Sequence, residues 1–77
     1  MARSDRHLLS LLQARQTTLG LLDVPFAKKI GISQSHWSLV KREQRGIGHR
    51  MSQRIIDAFP DLYRDVEDAM FPRKGAA

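Results

Sequence analysis

Apolar residues recur along most of this chain with the 3.6-residue period of amphipathic helices, and no stretch shows the two-residue period of a strand or an internal repeat. Breaks in the pattern, most of them at glycine or proline, divide it into separate helices. The sequence therefore predicts an all-α fold, a compact bundle of about five short helices. Their predicted bounds are about residues 5–16, 24–30, 34–42, 49–59 and 62–71.

Each predicted helix carries one apolar stripe, and together the stripes predict a common core. Leu19, Leu21 and Leu22 form an apolar connector that we expect to pack under the middle of the chain. Ile47, between two glycines of a polar loop, is expected to anchor that loop. The predicted stripes are Leu8, Leu11 and Leu12; Phe26, Ala27 and Ile30; Trp37 and Val40; Met51, Ile55, Ile56 and Phe59; and Leu62, Val66, Ala69 and Met70.

The middle of the chain predicts two short helices joined by a tight turn. Asp23 is a predicted N-cap for the first, since its carboxylate can accept a hydrogen bond from a free backbone N–H. Gly31 stands where that helix must end in a left-handed residue. Ile32 can fill the space beneath the turn, and Ser33 can cap the second helix. Asp61, after Pro60, is likewise a predicted cap for the last helix of the chain.

This stretch resembles the helix-turn-helix of the Cro-like and phage-repressor family, and weaker similarity extends over about residues 5–62. Ala27 stands at the family's small-residue position, and Gly31, four residues later, at its turn glycine. The resemblance implies a lambda-repressor-like fold with a central helix-turn-helix. It also implies binding to double-stranded DNA, by a regulator of a phage, prophage or mobile-element promoter or by the small control protein of a restriction system. Repression is the favoured sense, because 77 residues leave no room for a separate ligand or activation domain. The other residues that carry it are Ile32, the Ser33-Gln34-Ser35 opening and Val40.

Three residues depart from the family's pattern. Trp37 stands where Val or Ile is usual, so the two helices must open to admit an indole. Asp23 replaces a Gln that commonly binds a phosphate. Glu43 replaces a glycine that often ends the second helix, which predicts that this helix continues toward Arg45 and ends near Gly46.

Composition and charge narrow the class of partner. The 77 residues predict one small domain over residues 1–72 and a flexible tail over 73–77. The chain has no cysteine and no apolar run near the ~20 residues that span a bilayer, which favours a cytoplasmic protein without disulfides. Residues 1–54 hold ten Lys and Arg against three Asp and Glu, a net +7, whereas residues 55–77 carry −2. A polyanionic partner is expected to meet the first part.

The second helix of the motif supplies the candidate DNA-reading residues. The amide of Gln34 can pair with N6 and N7 of adenine, and Leu39 could contact a thymine methyl group. The further candidates for reading bases are Ser33, Ser35, His36 and Ser38. The candidates for binding phosphates are Lys28, Lys41, Arg42, Arg45 and Arg50.

Each of these assignments has a plainer alternative. Gln34 and Ser35 could form an ordinary polar helix start, and Lys28 could belong to a solvated face. Leu39 could turn into the core. Trp37 reads as a core residue, with stacking on a base as the minor alternative.

Little in the sequence suggests catalysis or a cofactor. No two histidines stand four residues apart, no cysteine is present, and no phosphate-binding glycine loop or nucleophile motif occurs. Asp65, Glu67 and Asp68 are close in sequence and read as a solvated helix face rather than a carboxylate site. We expect neither an enzyme nor a metal, cofactor or small-molecule ligand.

The small size of the domain predicts that two copies bind DNA together. One domain this small covers too little DNA for tight specific binding, which predicts a homodimer on a palindromic operator. Tyr63, Met70 and Phe71 are the candidate interface residues because they exceed the needs of a small core. Two other functions stay open. One is an antitoxin-type module that binds a protein and its own promoter; the other is a non-specific nucleic-acid-binding protein.

Overall fold

The computed structural model describes residues 3–70, with side chains from residue 5 onward. This part of the chain contains α-helices and one 3-10 helix but no strand, which confirms the predicted all-α class. Its Cα radius of gyration is 12.0 Å, so the bundle is compact. The helices are α1 (Arg3–Leu19), α2 (Asp23–Ile30), α3 (Gln34–Lys41), α4 (His49–Ala58) and α5 (Tyr63–Met70), and the 3-10 helix is Pro60–Leu62.

One hydrophobic core joins all five helices. Helix α2 packs against α3 and α4, while α1 and α4 both pack against α5. Trp37 and Phe26 are the largest fully buried side chains, and their ring centroids lie 5.1 Å apart. Ile47 is buried, as predicted. The other large side chains that are fully buried are Leu8, Leu12, Val40, Met51, Ile55 and Val66.

Two helices end in the same backbone turn, at a glycine with positive φ. Gly20 has φ of 66° and Gly31 has φ of 90°, both in the left-handed region. The N–H of Gly31 donates to the carbonyl of Lys28 at 3.1 Å, and the N–H of Ile32 to that of Ala27 at 3.0 Å. This pair of bonds is a Schellman motif, which satisfies carbonyl groups that the helix end leaves free. The prediction for Gly31 is confirmed.

Helix α3 ends in the same way, but at Glu43, so the prediction that it continues toward Arg45 is wrong. Glu43 has φ of 60°. Its N–H donates to Val40 at 3.0 Å, and the N–H of Gln44 donates to Leu39 at 2.9 Å. A non-glycine residue therefore occupies the position that glycine fills after α1 and α2.

Neither predicted carboxylate cap forms. Helix α2 begins at Asp23 itself, with Leu22 at the N-cap position and no side-chain capping bond. Asp61 lies in the 3-10 helix, and its two oxygens accept hydrogen bonds from the guanidinium of Arg15. Each carboxylate binds a cation from a distant part of the chain instead of a nearby free N–H group: Asp61 binds Arg15, and Asp23 binds Lys41.

The connector between α1 and α2 is less buried than predicted. Leu19 is 42% exposed and Leu22 is 79% exposed, whereas Leu21 packs partly against the core. Gly20 is exposed as well, so only one of the three leucines reaches the core. Leu9 is buried although the predicted stripe omitted it. The expected tail, residues 73–77, lies outside the described residues.

Candidate nucleic-acid interface

Helix α3 buries one face and leaves the other open. Trp37 and Val40 are fully buried, which anchors the helix and confirms the core assignment of Trp37. The N–H of His36 donates to Ser33 Oγ at 3.0 Å, so Ser33 caps the helix as predicted. Five residues on the open face of α3 line one open depression along the helix, and we call this row of residues the α3 ridge. They are Gln34, Ser35, Ser38, Leu39 and Arg42.

The α3 ridge unites four of the six predicted base readers with one predicted phosphate binder. Gln34 and Ser35 are exposed. Leu39 is half-buried, which is intermediate between the exposed base reader and the core residue that the sequence allowed. Arg42 Nη2 donates to Ser38 Oγ at 2.9 Å, which folds the guanidinium back along the ridge. Ser33, as the cap, and His36 lie off the ridge.

His36 faces a cleft beside α3 that sequence reasoning did not predict. The cleft lies between α3, the α3–α4 loop and the start of α4, and three glycines are among its lining residues: Gly31, Gly46 and Gly48. No carboxylate is among its lining residues, although Asp5 Oδ2 lies 3.4 Å from where a Cβ on Gly46 would stand. Its positive charge comes from three arginines, and two imidazoles also line it. These side chains are Arg45, Arg50, Arg54, His36 and His49, and we call the site the basic cleft.

Arg54 is the member of the basic cleft that the sequence analysis missed. Its Nη1 lies 2.9 Å from the position that a Cβ on Gly31 would take, so the guanidinium rests on the turn between α2 and α3. Arg54 lies outside the apolar stripe from which α4 was predicted. The signal was present, because Arg54 follows Arg50 by four residues and thus shares its helix face.

The environment of the basic cleft disfavours a charged imidazole at His36. Burial lowers the pKa of His36, and the nearby charge of Arg45 lowers it further. An anion in the cleft would act in the opposite direction and favour the protonated ring.

The opposite flank of α3 carries a hydrogen-bonded group that we call the Asp23 network: Gln16, Asp23, Trp37 and Lys41. Gln16 Nε2 donates to Asp23 Oδ1 at 2.9 Å, while Gln16 Oε1 accepts from Trp37 Nε1 at 3.2 Å. Lys41 Nζ donates to both oxygens of Asp23, at 2.8 and 2.7 Å. The hydrogen bond from Gln16, followed by that from Lys41, lowers the pKa of Asp23.

The predicted phosphate binders therefore differ in their availability. Lys41 is paired with Asp23, and Arg42 bonds to Ser38. Lys28, Arg45 and Arg50 are exposed, and among the described residues none of the three is within salt-bridge distance of an acidic group. The free cations lie mainly on the side of the basic cleft.

The predicted dimer residues lie on α5. Tyr63 is 55% exposed, and its hydrogen bond with Glu67 raises the pKa of the phenol. Met70 is half-buried against the core. Phe71 lies outside the described residues.

Neither a membrane-spanning helix nor a metal cluster is present in the part of the chain that the structure describes. None of its helices combines the length and the hydrophobicity needed to cross a bilayer. No group of three His, Cys, Asp or Glu residues within it is arranged to hold a metal ion. Comparison with protein-family models, with curated proteins and with solved structures finds no match to this chain.

Proposed function

We propose that this protein is a sequence-specific, double-stranded-DNA-binding regulator of transcription, acting through a helix-turn-helix of the Cro-like kind formed by α2 and α3. The observation that carries the proposal is the α3 ridge, a row of hydrogen-bonding side chains on a helix whose opposite face is fixed by Trp37 and Val40. A rigid helix with a polar outer face suits the major groove, which admits one α-helix and distinguishes all four base pairs.

Within that groove the residues have separate roles. Gln34, in the first turn of α3, pairs with a base edge, and Ser35 and Ser38 reach bases or nearby phosphates. Leu39 is exposed enough to contact a thymine methyl group. Arg42, at the far end of the helix, meets a phosphate at the wall of the groove.

The basic cleft supports the proposal as the place for the adjacent sugar-phosphate strand. Arg45, Arg50 and Arg54 converge there without a lining carboxylate. Helix α4 begins in the cleft at His49, and its N-cap residue, Gly48, has no side chain that could accept hydrogen bonds from the first backbone N–H groups. The positive end of that helix adds to the attraction for a phosphate.

The biological setting is an extension of the same proposal. Occupying a promoter is the simplest action of a domain this small, so we propose repression, at a palindromic operator bound by a homodimer in the cytoplasm. The antitoxin-type alternative requires an exposed apolar stripe on α5. Val66 and Ala69, which begin that stripe, are buried.

Selection of bound duplexes from a random pool tests the proposal directly. We expect an enriched motif with an inverted repeat, and we expect Gln34→Ala to alter the enriched bases. A pool that shows strong binding but no enriched motif would identify a non-specific nucleic-acid-binding protein. A pool without retained duplexes at low salt would refute DNA binding altogether.

A further inference from the structure

The two flanks of α3 differ sharply in free positive charge. On the basic-cleft side, three arginines are exposed and none has an acidic partner among the described residues. On the other side, an open depression at the α1–α2 junction is lined by Leu21, Leu22, Val24 and Pro25, together with Gln16, Asp23 and Gln34. This second depression contains no cation, and we call it the junction depression.

Asp23 is the reason for this difference. Asp23 lines the junction depression, and its two oxygens hold the ammonium of Lys41. The side chain of Asp23 is one-third exposed and that of Lys41 28% exposed, so the pair is partly shielded from water and salt. Gln16 holds the carboxylate in place from α1.

We propose that Asp23 restrains the affinity of this protein for DNA of any sequence by withholding Lys41 from the phosphate backbone. The inference rests on the proposed function. Gln34 lies at the edge of the junction depression, so a duplex read by Gln34 passes close to this flank. There the duplex meets a neutral ion pair and apolar side chains, and phosphates are neutralised on the basic-cleft side.

The consequence for recognition follows from the origin of non-specific affinity. Non-specific binding, which does not depend on the DNA sequence, comes almost entirely from phosphate neutralisation. Each phosphate contact changes the slope of log K against log salt by about −0.9. A free Lys41 would strengthen the protein's hold on every duplex, including those without the preferred bases. By pairing with Lys41, Asp23 leaves a larger share of the affinity to the base contacts of the α3 ridge.

The test measures the salt dependence of binding to a scrambled duplex for Asp23→Asn and a matched control. Asn keeps the size of the side chain and an oxygen that accepts from Gln16, but it removes the charge that holds Lys41. We expect the slope to become more negative by about 0.9, so that the fall in affinity between 50 and 200 mM salt grows about 3.5-fold. Asp68→Asn, an equal charge change at an exposed position on α5, should leave the slope unchanged.

Two more variants identify Lys41 as the cause. In Asp23→Asn combined with Lys41→Met, the slope should return to that of the original protein. Lys41→Met alone should not make the slope shallower, because the paired ammonium contacts no phosphate. This measurement tests the inference even if Asp23→Asn fails to fold. Circular dichroism melts establish which variants are folded.

Failure of this inference is distinguishable from failure of the proposed function. The inference is overturned if Asp23→Asn leaves the slope unchanged, if Asp68→Asn changes it equally, or if Lys41→Met alone makes it shallower by about 0.9. In each case the original protein still binds DNA. If the original protein retains no duplex at low salt, the proposed function itself is wrong.

Discussion

At the scale of single residues, Glu43 has the most unusual backbone. It ends α3 with φ of 60°, where an L-residue with a Cβ is strained by about 1–2 kcal/mol. Its carboxylate lies 2.7 Å from Arg6 Nε, but the two side chains are 43% and 66% exposed, so the pair contributes little stability. Glycine would relieve the strain at the cost of a more flexible unfolded chain.

We therefore expect Glu43→Gly to stabilise the fold by roughly 1 kcal/mol, which raises the melting temperature by about 4–8 °C in a domain of this size. The matched control is Glu43→Ala, which removes the same ion pair but keeps the Cβ and its strain. Thermal melts of both variants at neutral pH are the measurement. Equal stabilisation by Ala and Gly would show that the charge of Glu43, and not its backbone, is responsible.

His36 predicts a pH dependence of stability with a definite sign. Because burial and Arg45 lower the pKa of His36 in the folded state, the unfolded chain binds a proton there more readily. Stability should fall as the pH drops below about 6.5, the pKa of an unperturbed histidine. Urea melts between pH 7.5 and 5.5 should show a smaller loss for His36→Gln than for the original protein. His7→Gln controls for the removal of a histidine elsewhere, and an equal effect from it would contradict this assignment.

If the basic cleft holds a DNA phosphate as proposed, His36 should also make DNA binding depend on pH. A phosphate in the basic cleft favours the protonated imidazole, so binding should take up a proton and tighten as the pH falls toward 6. In His36→Gln this tightening should be reduced.

At the scale of elements, the proposed function predicts that the start of α3 reads bases and its end binds the phosphate backbone. Gln34→Ala should remove a base contact and cost roughly 1–3 kcal/mol on the preferred site, with little effect on a scrambled duplex. Arg42→Ala should weaken both complexes nearly equally and reduce the salt slope by about one unit. Binding of each variant to both duplexes at fixed salt decides this. If Gln34→Ala lowers both affinities by the same factor, Gln34 does not read bases.

The elements that sequence predicts well are those fixed by local chemistry. Ser33 caps α3 and Gly31 ends α2, because each acts on backbone groups within a few residues. The buried side of α3 follows from the spacing of Trp37 and Val40 alone. In these cases the determining interactions lie within one turn of a helix, so the pattern of the chain contains them.

The two predicted carboxylate caps failed because their outcome depends on partners far apart in the sequence. Asp61 binds Arg15, which is 46 residues away, and Asp23 binds Lys41, which is 18 residues away. A carboxylate ahead of a helix can either cap it or bind a cation, and local spacing does not distinguish these outcomes. The basic cleft was missed for a related reason, since it joins a turn, a loop and a helix that only the tertiary fold brings together.

At the scale of the whole molecule, the proposed function predicts assembly on DNA. We expect two copies per operator, with half-sites about one helical turn, ~34 Å, apart. Tyr63 is the best exposed candidate at the interface. Analytical ultracentrifugation with and without the selected operator gives the stoichiometry, and Tyr63→Ser should weaken pairing while leaving the melting temperature of the free domain nearly unchanged. One copy per operator at saturation would exclude the homodimer.

The contact between the first and last helices of the described chain has a consequence for how the domain is made. Helix α1 packs against α5, and Arg15 joins Asp61 while its guanidinium lies 4.8 Å from the centroid of the Phe59 ring. The two ends of the bundle therefore complete each other's hydrophobic surface. During synthesis on the ribosome, Leu8 and Leu12 of α1, which are fully buried in the folded domain, emerge long before α5. Folding of the domain must wait until α5 has left the exit tunnel, and a chain terminated near Pro60 would leave those leucines in contact with water.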